Sequence, residues 1–132
     1  MSTPAHASAA FQIDSWNDEI FDERDGTKLG RAQLAKTFSG DIEAHSTVEI
    51  LTAQAPQGSA AYVGLERLTG SVRGRSGSFV LVHTATDPRA RAVPVSVLPN
   101  SATGELTGLH GRGEIERHAD GSHTFTLDYE LP

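Results

Sequence analysis

Cysteine is absent from all 132 residues. Without it the chain forms no disulfide, presents no thiol nucleophile and builds no Cys-ligated zinc site. Basic charge is also short, with 11 Lys and Arg against 17 Asp and Glu and a formal charge of -6. That is the wrong sign for neutralising phosphates along a duplex or for docking on an anionic membrane, so neither nucleic acid nor membrane is an expected partner. Nowhere do apolar residues run for the length of a bilayer-spanning helix. The opening residues Met1 to Ala10 carry no basic region and no apolar core of secretory length, so a cytoplasmic chain with a disordered tail over residues 1–8 is expected. The remaining 9–132 suit one domain with one hydrophobic core.

What is present is period two. Apolar residues recur in short alternating segments with turn residues between them, the pattern of strands and not of amphipathic helices. Eight such segments are predicted, at about 10–19, 28–38, 41–52, 60–69, 78–86, 92–98, 105–117 and 124–131. Asp25-Gly26 and Ser39-Gly40-Asp41 supply turns, and Asp87-Pro88 stops the fifth segment. The third alternates most cleanly, with Ile42, Ala44, Ser46, Val48 and Ile50 on one face. Pro94 marks the sixth as an edge or bulged strand, and the valines of Val93 to Val97 offer a surface for a homodimer. Glycines 108, 111 and 113 break up the seventh. Short strands joined by short turns favour an all-β fold, an eight-stranded antiparallel up-and-down β-barrel, because closure leaves no sheet edge exposed. A barrel of that size has room for side chains or for one small ligand.

Two glycine-rich stretches invite a nucleotide reading. Between Gly70 and Gly74 lie three residues where a Walker loop needs four before Gly-Lys, the next residue is Arg75, and a strand follows instead of a helix. Gly70 to Gly77 is therefore read as a hairpin turn. Gly108 to Gly113 has its glycines in the wrong order for a dinucleotide fingerprint. Gly-x-Ser-x-Gly is absent, so a hydrolase elbow has no support.

Two candidates for catalysis stand out, Glu66 and His83. Glu66 shares a strand face with Tyr62, Gly64 and Leu68, and His83 shares one with Phe79, Leu81 and Ala85. A carboxylate inside a small barrel needs a partner such as Arg, His or Tyr, and a structural ion pair competes with a functional role. The imidazole is read either as a hydrogen-bonded core group or as a base or ligand anchor. Trp16, Ser46, Tyr62, Glu105 and Tyr129 are candidate ligand contacts. The six histidines show no metal-binding spacing on a helix; no metal and no cofactor is expected, and His45, His118 and His123 are assigned exposed positions.

The ordered series Phe38-Ser39-Gly40-Asp41, Tyr62-Val63-Gly64-Leu65-Glu66, Gly74-Arg75-Ser76-Gly77-Ser78-Phe79-Val80-Leu81 and Thr103-Gly104-Glu105-Leu106-Thr107-Gly108-Leu109 resembles the bacterial family catalogued as domain of unknown function 3224, over residues 9–131. The resemblance implies an antiparallel barrel like that of allene oxide cyclase, with no established activity and no catalytic residues to carry over. Three functions remain open. The first is a barrel binding a small apolar or amphipathic ligand in a mostly apolar cavity. The second is a cofactor-independent isomerase or cyclase using interior Glu or His as acid and base. The third is a packed barrel serving structure or assembly. Whether the chain is an enzyme is left open.

Overall fold

The structure is a computed structural model and describes residues 3–87 and 90–132. Eight strands follow one another around a closed antiparallel barrel. They are β1 (Thr3–Arg24), β2 (Thr27–Gly40), β3 (Ile42–Gln54), β4 (Ala60–Val72), β5 (Arg75–Ala85), β6 (Ala92–Val97), β7 (His110–Arg117) and β8 (His123–Leu131). Each pairs with the next, and β1 closes on β8 from Thr3 opposite Leu131 to Phe11 opposite His123. The β1–β2 turn places Asp25 and Gly26 at φ 53 and 83, and the β4–β5 turn places Arg73 and Gly74 at φ 46 and 83. Two successive positive φ values are the hairpin geometry that follows strand twist. The glycine-rich stretch is thus a hairpin, as its spacing indicated, but only Arg73-Gly74 form the turn, and Gly70 pairs with Gly77 in the ladder. No helix among the described residues is long and apolar enough to cross a membrane.

Three expectations are corrected. Residues 3–8 are not a disordered tail: they form the start of β1 and pair with β8, with Ala7 fully buried and Ala9 nearly so. Alternating alanines give a weak hydrophobic signal, yet they are small enough to face a tightly packed barrel end. Met1 and Ser2, the rest of that segment, lie outside the described residues, as does Pro88 of the expected stop after β5. The seventh strand starts at His110 and not at Glu105, because Gly104–Leu106 forms a short 3-10 turn that sends Leu106 and Leu109 into the core. Nor is β6 an edge. It pairs with β5 and β7, and Val95 and Val97 point into the barrel. Large outward apolar side chains lie instead on β3 and β4, where Leu51 opposes Val63 with Leu65 nearby, each at least half exposed.

The interior is divided along the barrel axis. One apolar cluster fills one end, built on Phe38, Ile42, Leu68, Phe79, Phe125 and Leu127. A smaller cluster of Ala32, Leu34, Val48 and Ile50 lines the other end, with Tyr62 packed against it. On four adjacent strands one buried polar residue interrupts the inward alternation between the two. These are Lys36 between Leu34 and Phe38 on β2, Ser46 between Val48 and Ala44 on β3, Glu66 between Gly64 and Leu68 on β4, and His83 above Leu81 on β5.

Candidate functional site

Strand register sets how these four side chains meet. Lys36 lies opposite Ser46, Val48 opposite Glu66, and Gly64 opposite His83. Cross-strand neighbours on one face of a sheet lie close together, so the polar residues converge as a layer across β2 to β5. Gly64 matters at close range. A Cβ built there would stand 3.1 Å from His83 Cε1, and its absence lets the imidazole lie against β4.

Glu66 is fully buried and yet provided for. Lys36 Nζ donates to its Oε1 at 3.3 Å, Ser46 Oγ donates to its Oε2 at 2.6 Å, and His83 Nε2 stands 3.4 Å from Oε1. Burial pushes the carboxyl up, but the His83 imidazole, the Lys36 charge and the Ser46 hydroxyl outweigh it and hold Glu66 below its ordinary value. Glu66 is therefore an ionised carboxylate whose charge Lys36 balances. The Lys36 ammonium also sits 4.5 Å from the centre of the Phe11 ring, a cation–π contact.

A carboxylate beside Nε2 favours a proton on that nitrogen, which leaves Nδ1 to accept from the Tyr62 hydroxyl 3.1 Å away. The Nε2 contact is at ion-pair distance, and Nε2 is a buried side-chain atom without a well-formed hydrogen bond. Tyr62 to His83 to Glu66 is then one chain of polar contacts running from a partly buried hydroxyl to a fully buried charge. Burial first, and then the Glu66 charge, push the Tyr62 phenol up to about 12, so it is neutral and able to donate.

Beyond the polar layer the barrel is hollow. A chamber of about 360 Å³ opens at the end lined by Leu34 and Ile50, with Lys36, His83 and Tyr62 among its walls. Such a volume lies at the small end of the range for ligand pockets. Glu66 stays behind the wall and does not line it. Among the described residues no group of three His, Asp or Glu side chains could hold a metal ion.

The expected site residues divide accordingly. Ser46, Tyr62, Glu66 and His83 come together. Trp16 stands at the chamber mouth, 54% exposed, opposite Leu34. A register shift between Ile13 and Ser15 lets Ile13 and Trp16 both face the interior side. Tyr129 belongs to the packed end and does not reach the chamber. Glu105 is on the surface, where it accepts from the Ser76 backbone at 3.1 Å. A corrected assignment is His123, which is not exposed beside a turn but partly buried, stacked on Phe11 at 5.1 Å and part of the chamber wall. The residue missed from the sequence is Lys36. Its position among Ala32, Leu34 and Phe38, all inward at period two, was the available signal.

A solved crystal structure from Shewanella oneidensis MR-1, described as a protein with unknown function from the DUF3224 family, is 36% identical, with a TM-score of 0.85 over 100% of this chain and 99% of that one. A comparison with curated proteins returned no match. The model for the family described as protein of unknown function (DUF3224) matches residues 7–129, nearly the whole barrel, and the chain belongs to that family.

Proposed function

We propose that the chain binds a small, mostly apolar molecule in the open end of the barrel. The observation that supports this reading is the 360 Å³ chamber itself, walled by Leu34, Ile50, Val93 and Ile115 and ending on a polar layer. Burial of an apolar ligand would drive binding, and Tyr62, His83 and Lys36 would orient it. The third reading, a barrel packed throughout, draws less support from an interior that is open at one end. Trp16 is the sole tryptophan and stands at the mouth, so its emission reports occupancy. Titration with the neutral probe 1-naphthylamine is expected to change Trp16 emission saturably, with one probe per chain in native mass spectrometry. Leu34→Phe, which intrudes on the chamber, is expected to weaken both signals. A wild type that shows neither signal overturns the reading.

A second reading, cofactor-independent isomerisation or cyclisation, is favoured by the Tyr62–His83–Glu66 chain. Here the group meeting the substrate is the Tyr62 hydroxyl, His83 takes or returns its proton, and Glu66 acts as a positioning residue from behind the wall. The chamber adds confinement of a flexible substrate. If a bound carbonyl compound exchanges its α-hydrogens in D2O, Tyr62→Phe and His83→Gln should stop the exchange while binding persists. Exchange that survives both substitutions removes this reading.

A further inference from the structure

We propose that the chamber takes an organic carboxylate, held by its acid group at the rim between Arg91, Arg117 and His123 with its apolar body directed towards Leu34 and Ile50. This rests on the chamber being a small-molecule site and specifies what enters it. The charge pattern is the starting point: the chain carries -6 overall, yet the chamber wall holds Lys36, Arg91 and Arg117 against Asp87. Lys36 is matched by Glu66. Arg91 and Arg117 form no ion pair among the described residues, so two guanidinium groups stand at the rim with their donors open to an incoming acid.

The two arginines start from adjacent backbone, since the Arg117 N–H donates to the Arg91 carbonyl at 2.8 Å. Across the β7–β8 ladder Arg117 faces His123, which in turn faces Phe11 on β1. Arg117, His123 and Phe11 thus form one lateral row on the inner face at the mouth. The His123 imidazole is held below its usual range by burial and then by the charges of Lys36, Arg117 and His118. An anion seated beside the imidazole would offset the charges of Lys36 and Arg117.

Guanidinium forks suit planar carboxylates, and such charge-assisted contacts strengthen beside an apolar wall. Size narrows the class. At roughly 30 Å³ per non-hydrogen atom, the share of a water molecule in the liquid, the chamber holds about twelve such atoms. The ligand class is therefore a compact aryl or medium-chain monocarboxylate.

The test compares 4-phenylbutyrate and octanoate with the matching alcohols, 4-phenylbutanol and octanol, by Trp16 emission and calorimetry. Each acid is expected to bind about tenfold or more tightly than its alcohol, an advantage that shrinks with added salt. Arg91→Gln and Arg117→Gln change exposed side chains outside the polar layer; each is expected to remove most of the acid's advantage and to leave the alcohol unaffected. Alcohols binding as tightly as acids, or acid binding indifferent to both arginine variants, overturns the proposal while leaving the chamber a ligand site. If neither acids nor alcohols nor the neutral naphthylamine bind, the chamber reading fails and this proposal fails with it.

Discussion

Gly64 lies opposite His83 across the β4–β5 ladder, and the imidazole occupies the space that a side chain at 64 would need. Gly64→Ala puts a methyl group 3.1 Å from Cε1 and forces the ring to move by a few tenths of an ångström. The His83 bond to Tyr62 and its contact with Glu66 should loosen together. The expected cost is about 1–2 kcal/mol, read by urea unfolding, with altered His83 imidazole resonances. An unchanged His83 environment in Gly64→Ala would show that the ring is not held by that glycine.

Lys36 balances the Glu66 charge in an interior that offers little water. Removing one partner of such a pair leaves the other uncompensated, so Lys36→Met is expected to cost about 3–5 kcal/mol. Pairing Lys36→Met with Glu66→Met should restore part of that loss, with a coupling of about 2 kcal/mol in the double-mutant cycle. Additive single losses would mean that the two charges do not rely on each other.

The acid limb of stability should carry the Glu66 signature. Its folded-state pKa is lowered despite burial, by His83, Lys36 and Ser46, so the stability it contributes is present above the unfolded carboxyl value and is lost as pH falls through the folded one. At neutral pH wild type should be the more stable when compared with Glu66→Gln. The gap between them should close as pH drops below about 4. Urea midpoints measured from pH 7 to pH 3 test this, because the other carboxylates titrate in both proteins. A gap that stays constant across that range would contradict the ionised state of Glu66.

Tyr62 should mark the alkaline limb. Its phenol, raised by burial and by Glu66, titrates near 12. The stability this contributes is present below the unfolded tyrosine value of about 10 and is lost as pH rises towards 12. In a Tyr129→Phe background, ultraviolet titration should show Tyr62 ionising late. Adding Glu66→Gln should bring it down while leaving the larger share that burial imposes.

Much of this architecture was legible in alternation and turn chemistry. The inward face of β3, the two hairpin turns and the grouping of Glu66 with Tyr62 follow from period two and from the residues that tolerate positive φ. Three of the four polar residues in the dividing layer were visible as exceptions to an apolar face. Lys36 was not, because a lysine is rarely buried and so reads as an outward residue, although it shares a face with Ala32, Leu34 and Phe38. The position of the chamber was beyond reach for a different reason. Which strand ends stand empty depends on register and on the turn that folds Leu106 and Leu109 inward, and neither leaves a periodic trace. The buried β1 start was hidden by alanines, and the valines of β6 misled because one proline suggested an edge.

The polar layer also separates two tasks along the barrel. The large aromatic and aliphatic side chains that hold the strands together lie on one side of it, and the walls that would meet a ligand lie on the other. The occupied half can serve as a fixed chassis while the hollow half is re-lined at Leu34, Ile50 or Val93 to admit differently shaped guests. Substitutions there should shift selectivity well before they threaten folding. The same changes made one turn of alternation beyond Lys36 or Glu66 would strike the chassis itself.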